Sequence, residues 1–199
     1  MTVLGLCGQS GAGKTTALET LVSLGAVVCD CDVVSRLVMS RGTDCTAEVV
    51  ESFGNEILRD DGEIDRKALG KIVFFDREKL ERLTEITHRY IKAEVRERIR
   101  KAEAEGEGLF VVDAPLLFES GLDKDCHVTL AIVSDREKRL ERIMARDGID
   151  RELAEKRLAS QIDEDELYRL SDEVIVNDGT VEELAKAIKA FAERRGLLN

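Results

Sequence analysis

The sequence has no apolar stretch approaching the roughly 18 to 20 residues that a membrane span requires. Its N-terminus has no basic segment ahead of an apolar run, and Val3–Cys7 is too short for a signal peptide. Basic residues are outnumbered, because the sequence has 30 lysines and arginines and 41 acidic residues, which gives a net charge of −11. These absences argue against a membrane protein and against diffuse nucleic-acid binding, and they favour a cytoplasmic location.

Metal-binding cysteine and histidine patterns are also missing. The only histidines are His88 and His127, and neither belongs to a second ligand pair of the kind that a zinc site needs. No CxxC pair occurs among the five cysteines, which are Cys7, Cys29, Cys31, Cys45 and Cys126. We therefore expect reduced thiols that pack as small core residues.

What the sequence does contain is a regular alternation of apolar strands and helical patterns, without internal repeats. Its 199 residues suit a single domain. Alternation of this kind predicts an α/β fold, with a parallel sheet between two layers of helices. The five predicted strands cover residues 2–7, 26–30, 108–113, 127–133 and 173–177. A helix is predicted over about 14–24, and another after the capping box formed by Thr180 and Glu183.

Two long helical segments interrupt this alternation. Residues 32–106 hold no convincing strand, and their longest predicted helix runs from about 76 to 105. Residues 135–170 are likewise all helical. Since both are longer than a simple crossover requires, we predict a core of 1–31, 107–134 and 171–199 with two helical insertions.

A phosphate-binding loop follows the first strand. Gly8-x4-Gly13-Lys14-Thr15 matches the Walker A pattern, with a strand before it and a helix after it. Such a loop turns backbone N–H groups towards phosphates, its lysine reaches the β- and γ-phosphates, and its hydroxyl can ligate magnesium. The pattern predicts a P-loop type of α/β core that binds ATP and Mg²⁺, and a chance match in a glycine-rich turn is the alternative. The loop alone does not separate kinases from GTPases, motor ATPases or non-hydrolysing adaptors, although no guanine-binding NKxD motif occurs.

Aspartates end two of the predicted strands, where ligands of open α/β sheets bind. Asp113 closes an apolar run in the manner of a Walker B residue and is a candidate magnesium ligand, directly or through water. Asp30 or Asp32 could orient the attacking hydroxyl and accept its proton. For Asp32 the alternative is a helix N-cap.

Arg139, Arg142 and Arg146 share one face of a helix that we expect to begin at a capping box from Ser134 to Glu137. A basic helix face is often only solvated surface. In an acidic protein with a phosphate loop, it also suits a mobile lid that brings positive charge to the phosphates.

These residues together resemble the dephospho-CoA kinase family over nearly the whole chain, from Leu4 to about Leu184. The most diagnostic segment is Asp113–Glu119, which reads DAPLLFE. The other shared motifs are residues 8–16, Asp30-Cys31-Asp32, Asp61 to Leu69 with Arg66, Phe74, His88, Arg142 with Arg146, Gln161, and Asp172 to Gly179.

The resemblance implies that ATP phosphorylates the ribose 3′-hydroxyl of dephospho-CoA, with Mg²⁺ as cofactor. It implies catalytic roles for Asp32, Lys14 and Arg142, acceptor binding in the insertion at 32–106, and a lid over 135–170. The ATP contacts that it implies are Gly11, Ala12, Gly13, Lys14, Thr15, Thr16, Arg142, Arg146, Asn177 and Gly179. Acceptor contacts would be Asp32, Arg66, His88 and Leu116, and the metal contacts Thr15 and Asp113.

The chain departs from the family pattern at two places. The loop usually reads GGIGSGKS, whereas here Gln9 and Ser10 occupy its second and third positions, which mainly present backbone. His88 is usually followed by proline, and here by Arg89, so the long helix need not kink at this point of the acceptor-binding insertion. The alternative for His88 is a half-buried polar helix residue. A uridine kinase-like enzyme and a non-catalytic nucleotide switch are the competing functions, and a monomer is expected.

Overall fold

A computed structural model describes residues 1–197. Its sheet has five strands in the order β2-β3-β1-β4-β5, and the pairs β1–β3, β1–β4 and β4–β5 are parallel. The strands are β1 (Thr2–Gly8), β2 (Val27–Asp30), β3 (Leu109–Asp113), β4 (Val128–Val133) and β5 (Glu173–Val176). Every residue of β3 and β4 is buried, as expected for central strands covered on both faces. The predicted five-stranded parallel α/β core is confirmed.

Helices account for most of the remaining chain. They are α1 (Lys14–Ser23), α2 (Cys31–Val38), α3 (Asp44–Phe53), α4 (Arg66–Val73), α5 (Arg77–Ala104), α6 (Arg136–Asp147), α7 (Arg151–Ala159), α8 (Glu164–Leu170) and α9 (Val181–Arg194), with single 3₁₀ turns at Asn55–Ile57 and Asp123–Asp125. None of the helices within residues 1–197 is both long and apolar enough to cross a membrane.

The chain divides into two compact units. One comprises Met1–Cys29 and the described chain from Ile99 onward, and the other is Asp30–Arg98. The second unit therefore corresponds to most of the helical insertion predicted at 32–106. The segment predicted as a lid, 135–170, belongs to the first unit, and its role as a lid stays a prediction.

The core of the first unit lies between the sheet and helices α1 and α9. Leu4 and Leu6 of β1 and Leu130 of β4 are fully buried there, together with Phe191 of α9. Truncating a buried phenylalanine to alanine costs roughly 3–5 kcal/mol, so Phe191 makes α9 an integral part of this unit. The predicted capping box is present at the start of α9, where Thr180 and Glu183 cap each other's backbone N–H groups.

The second unit has its own apolar core. Val49 of α3, Ile57 of the first 3₁₀ turn and Ile86 of α5 are fully buried in it. Leu83 and Tyr90 of α5 pack against its edge. Leu80, which shares their helical spacing, is 46% exposed. The helical spacing of these residues therefore predicts α5 correctly, but the apolar residue in the first turn of the helix lies outside the core.

The cysteines behave as predicted, because all five are free thiols and four of them are buried. Cys7, in β1, illustrates the environment: burial raises the pKa of its thiol to about 12.

The capping box predicted at Ser134 is wrong. Helix α6 begins at Arg136, and its cap is Asp135, whose carboxylate accepts from the N–H groups of Glu137 and Lys138. The Ser134 hydroxyl donates instead to Asp178 Oδ1 at 3.1 Å, a residue in the loop after β5. A tertiary contact has therefore displaced the local capping pattern.

Candidate nucleotide-binding site

The phosphate loop, residues 8–13, connects β1 to the N-terminus of α1 at the carboxyl end of the sheet. Gly11 and Gly13 have φ angles of 77° and 102°, in the left-handed region that favours glycine. Neighbouring groups also lie too close for a side chain. A Cβ at Gly11 would be 2.8 Å from the Arg139 carbonyl oxygen, and one at Gly13 would be 2.2 Å from Asn177 Nδ2. The loop is thus packed between α6 and the loop that follows β5.

The lysine of the loop pairs with the aspartate predicted at the end of the third strand. Because β1 and β3 are parallel neighbours with Leu6 opposite Asp113, the end of β3 lies beside the loop. Lys14 Nζ donates to Asp113 Oδ1, and the two side chains are 22% and 9% exposed. This ion pair keeps the ammonium group at the mouth of the loop.

Arg142 of α6 binds the loop from the other side. Its Nη1 donates to the Gly11 carbonyl oxygen at 3.0 Å and to Ser134 Oγ at 3.1 Å, and its Nη2 donates to the Asn177 carbonyl oxygen at 3.2 Å. Asn177 in turn donates from Nδ2 to the Ala12 carbonyl oxygen at 2.8 Å. The carbonyl oxygens of two loop residues are therefore paired with donors, which reduces their repulsion of a bound phosphate.

The predicted arginine face splits into three environments. Arg142 contacts the loop, whereas Arg139 is 5% exposed and donates from Nη1 to Gln9 Oε1. Burial lowers the pKa of the Arg139 guanidinium, and the nearby Glu164 opposes that shift. Arg146 is exposed and pairs with Asp147 at 2.7 and 2.9 Å. The fully solvated alternative is thus wrong for Arg139 and Arg142.

The remaining predicted ATP and metal residues lie around the same loop. Thr15, in the first turn of α1, is exposed, and Thr16 contributes its carbonyl oxygen to a bond from Thr20 Oγ1. Gly179 lies two residues after Asn177. A Cβ there would be 1.9 Å from Glu183 Oε2, the atom that accepts from the Thr180 N–H, so a side chain at this position would disturb the capping box. No cluster of three metal-ligating side chains occurs in the part of the chain that the structure describes. One hydroxyl and one carboxylate suit a Mg²⁺ ion that takes its other ligands from phosphates and water.

Sequence reasoning missed two residues that contact this site. Gln9 was expected to present mainly backbone, but its side chain is only 8% exposed and hydrogen-bonded at both ends of the amide. Asp178 accepts from the Asp135 N–H at 2.8 Å as well as from Ser134, and the Asp135 bond is the main cause of its lowered pKa. An unusual glutamine in a glycine loop was the one available signal for Gln9.

Within the second unit, the structure distinguishes the two candidate bases. Asp30 is the N-cap of α2, and its Oδ1 accepts from the N–H groups of Asp32 and Val33 at 2.8 and 3.1 Å. The N-cap alternative for Asp32 is therefore wrong, because the helix begins at Cys31, two residues earlier than a cap at Asp32 requires. Asp32 lies in the first turn with an exposed side chain.

The predicted acceptor residues of this unit lie on α4 and α5. Arg66 is the exposed first residue of α4, after the cap Asp65. His88 of α5 is half-buried, and burial, aided by Lys92, lowers its pKa. Its imidazole is therefore held towards the neutral form. Leu116 belongs to the first unit and is 52% exposed just after β3.

The sheet order, the Walker A loop and the Lys14–Asp113 pair at a strand end define a P-loop α/β protein of the kinase type. The sequence model of the dephospho-CoA kinase family matches residues 2–183. Dephospho-CoA kinase of Fusobacterium nucleatum is 39% identical over 191 residues, which cover 96% of this chain and 97% of that protein. The chain belongs to the dephospho-CoA kinase family, and the predicted resemblance is confirmed.

Solved structures agree with this assignment. A crystal structure of a Thermus thermophilus protein superposes with a TM-score of 0.80 at 31% identity and covers 97% of each chain. Dephospho-CoA kinase from Campylobacter jejuni superposes with a TM-score of 0.65 at 26% identity, covering 97% of this chain and 96% of that one. The likeness therefore extends through both compact units and not only the phosphate loop.

Proposed function

We propose that this chain transfers the γ-phosphoryl group of ATP to the ribose 3′-hydroxyl of dephospho-CoA, which yields coenzyme A. The observation that carries the proposal is the family match over residues 2–183 together with an intact phosphate loop. A uridine kinase-like function lacks this support, because the match includes the segments outside the loop that distinguish the family.

ATP binding is assigned to the phosphate loop and to the residues packed around it. Lys14 neutralises charge on the β- and γ-phosphates, and the N-terminus of α1 adds its helix dipole. Arg142 is already fixed against the loop, where a guanidinium can stabilise charge on the phosphoryl group during transfer. Arg146 would also contact the phosphates, after giving up its ion pair with Asp147. Asn177 and Gly179 would lie beside the nucleotide base.

Asp32 is assigned as the residue that orients the acceptor hydroxyl and accepts its proton. Its support is the separation of roles at the start of α2. Asp30 Oδ1 is engaged as the helix cap, whereas the carboxylate of Asp32 accepts no hydrogen bond from any residue within 1–197. An exposed carboxylate next to the attacking hydroxyl would act as a general base.

Magnesium would be held by the Thr15 hydroxyl and, directly or through water, by Asp113. The exposed hydroxyl and the strand-end carboxylate are the oxygen ligands that Mg²⁺ prefers. When bound, the ion supplies positive charge to the phosphates. Binding of Mg-ATP would require Lys14 to exchange Asp113 for phosphate oxygens.

Binding of the acceptor is assigned to Arg66, His88 and Leu116, together with Asp32. Arg66 is exposed at the N-terminus of α4, where an arginine suits a phosphate of dephospho-CoA. His88, held towards its neutral form, would contribute hydrogen bonds rather than charge. A monomer in the cytoplasm, with no nucleic-acid partner, completes the proposal.

The decisive experiment is a phosphate-transfer assay that compares dephospho-CoA with uridine, AMP and CMP as acceptors. We expect turnover with dephospho-CoA to exceed that of the others by at least about 10³-fold, since a site built for one acceptor's polar groups rejects analogues that leave them unpaired. Faster transfer to uridine or to a nucleoside monophosphate would refute the proposal.

The role of Asp32 is tested with a matched pair of variants. Asp32→Asn should lower kcat by at least about 10²-fold with little change in ATP affinity, because the proton acceptor is lost. Asp30→Asn is the control, since asparagine caps helices as well as aspartate does, and it should retain activity within a few-fold. If Asp30→Asn were the inactive variant, the general base would be Asp30.

A further inference from the structure

The connection between α7 and α8 is hydrogen-bonded to the phosphate loop through Gln161. The Ser10 N–H donates to Gln161 Oε1 at 3.0 Å, and Gln161 Nε2 donates to Ser10 Oγ at 2.7 Å. One side-chain amide therefore binds both the main chain and the side chain of Ser10. The two residues are 151 positions apart in the sequence.

A second amide runs in the opposite direction, from the loop to the connection. Gln9 Nε2 donates to the Ile162 carbonyl oxygen at 2.6 Å, and Gln9 Oε1 accepts from Arg139 Nη1. The guanidinium of Arg139 also lies 3.7 Å from Glu164 Oε2 at the start of α8. Gln9 thus links the loop to α6 and to the α7–α8 connection at once.

These contacts lie in a packed environment. Gln9 and Arg139 are 8% and 5% exposed, and an amide or a charge is buried at such positions only when it is paired. The backbone confirms the close fit, since a Cβ on Gly11 would meet the Arg139 carbonyl oxygen at 2.8 Å. Breaking the Gln9 contact would leave buried polar groups unpaired between the loop and α6, and breaking the Gln161 contact would remove both partners of Ser10 at the α7–α8 connection.

We infer that Gln9 and Gln161 are positioning residues of the nucleotide site. Their two amides, here called the amide clamp, bind the first half of the phosphate loop to α6 and to the α7–α8 connection. Because Arg142 lies on the same helix as Arg139 and donates to Gly11, the clamp also fixes Arg142 relative to the loop. It holds the loop in its nucleotide-binding shape before ATP arrives, which lowers the ordering cost of binding.

The clamp belongs to this chain's version of the loop. A glycine, the usual residue at position 9 in the family pattern, could not make either bond of the Gln9 amide. An isoleucine, the usual residue at position 10, has no hydroxyl that could accept from Gln161, so only the bond from the backbone N–H of residue 10 would remain. Gln9 and the buried Arg139 therefore form an interdependent pair, since each satisfies the other's hydrogen-bonding group. The inference rests on the proposed function only in that ATP binds at this loop.

The central test is Gln161→Met, which keeps the side-chain length and removes both hydrogen bonds. We expect the Kd for ADP, measured by calorimetry, to rise about tenfold, which corresponds to about 1.4 kcal/mol and lies within the range that two hydrogen bonds contribute. The KM for dephospho-CoA should stay within twofold. The amide of Ser10 should exchange its hydrogen at least about ten times faster in the nucleotide-free protein. Ser160→Ala, which removes a neighbouring hydroxyl that donates to the Arg157 carbonyl oxygen, is the control that should change none of these.

Two further variants exclude a general loss of structure. Gln161→Glu retains an acceptor for the Ser10 N–H, so protection of that amide should return. Gln9→Met alone would leave the buried Arg139 guanidinium without its partner Gln9. We therefore combine it with Arg139→Met, because replacing both partners of a buried hydrogen bond by apolar groups preserves stability more often than removing one of them. The double variant should melt within a few degrees of the wild type and still bind ADP about tenfold more weakly.

The inference is overturned if Gln161→Met binds ADP as the wild type does, or if the KM for dephospho-CoA rises as much as the Kd for ADP. It is equally overturned if the stable double variant binds ADP normally. Binding of ADP and amide exchange do not depend on the acceptor. A failure of the proposed phosphate transfer would therefore leave this test intact.

Discussion

Replacing Asp113 by asparagine should change nucleotide binding in opposite directions with and without magnesium. In the nucleotide-free protein, the Asp113 carboxylate pairs with Lys14, and the side chains are 9% and 22% exposed. ADP alone has to separate this pair and approach a carboxylate of its own sign. The Asp113→Asn substitution removes both obstacles at nearly constant volume, so metal-free ADP should bind more tightly.

The magnitude follows from the environment of the pair. Two unit charges about 4 Å apart interact by about 4 kcal/mol at an effective dielectric constant near 20. Part of that energy is offset because a liberated Lys14 is hydrated before the nucleotide arrives. A net gain of about 1–2 kcal/mol corresponds to metal-free ADP binding about 5- to 30-fold tighter. With Mg²⁺, the same variant should lose at least about tenfold in kcat/KM for ATP, because it lacks the carboxylate that we propose as a metal ligand.

Calorimetry of ADP binding in EDTA and in Mg²⁺, together with steady-state kinetics, measures both effects. Asp123→Asn serves as the matched control, because Asp123 lies in a 3₁₀ turn and should leave both quantities unchanged. The reasoning is refuted if Asp113→Asn weakens metal-free ADP binding, since the carboxylate would then assist the nucleotide rather than compete with it.

Two more predictions concern Arg142 and the buried thiols. Arg142→Ala should lower kcat about 10²-fold and ATP affinity much less. Stopped-flow kinetics and binding assays measure the two quantities separately. A change in KM for ATP alone would mean that Arg142 binds ATP in the ground state and does not stabilise the transition state. Burial raises the pKa of Cys7 and Cys126 from 9.0 to about 12. Between about pH 9 and 12 the unfolded state therefore loses protons that the folded state keeps, and stability should fall by up to about 1.4 kcal/mol per pH unit for each thiol. Urea unfolding from pH 8 to 10 checks this slope, which Cys7→Ala should reduce; an unchanged slope would show that Cys7 does not stay protonated.

Local sequence patterns predicted the regular elements well. The predicted strand at 2–7 is β1 (Thr2–Gly8), and the helix predicted over about 76–105 is α5 (Arg77–Ala104). Apolar runs, helical spacing and the Thr180 capping box are properties of neighbouring residues, so the sequence displays them directly. The roles of individual caps were harder to predict. Asp30 rather than Asp32 caps α2, because both are acceptable caps and only the folded backbone selects between them.

Patterns that depend on distant partners were predicted less well. Ser134 and Glu137 have the spacing of a capping box, but Asp178, far along the chain, binds Ser134. Similarly, the spacing of Arg139, Arg142 and Arg146 on one helix face does not reveal that the first is buried on Gln9 while the last is exposed. What surrounds a helix face is decided by tertiary packing, which periodicity does not encode.

The sequence by itself determined the Walker A loop, the α/β alternation and the family motifs, and with them the kind of chemistry this protein performs. The tertiary structure decided how the site is assembled. It placed Lys14 on Asp113, 99 residues away, and Asn177 on the Ala12 carbonyl oxygen, 165 residues away. It also turned Gln9 from a loop residue of no evident role into part of the amide clamp. Parallel strands bring distant segments to one edge of the sheet, and hydrogen-bond partners there are set by geometry rather than by sequence spacing.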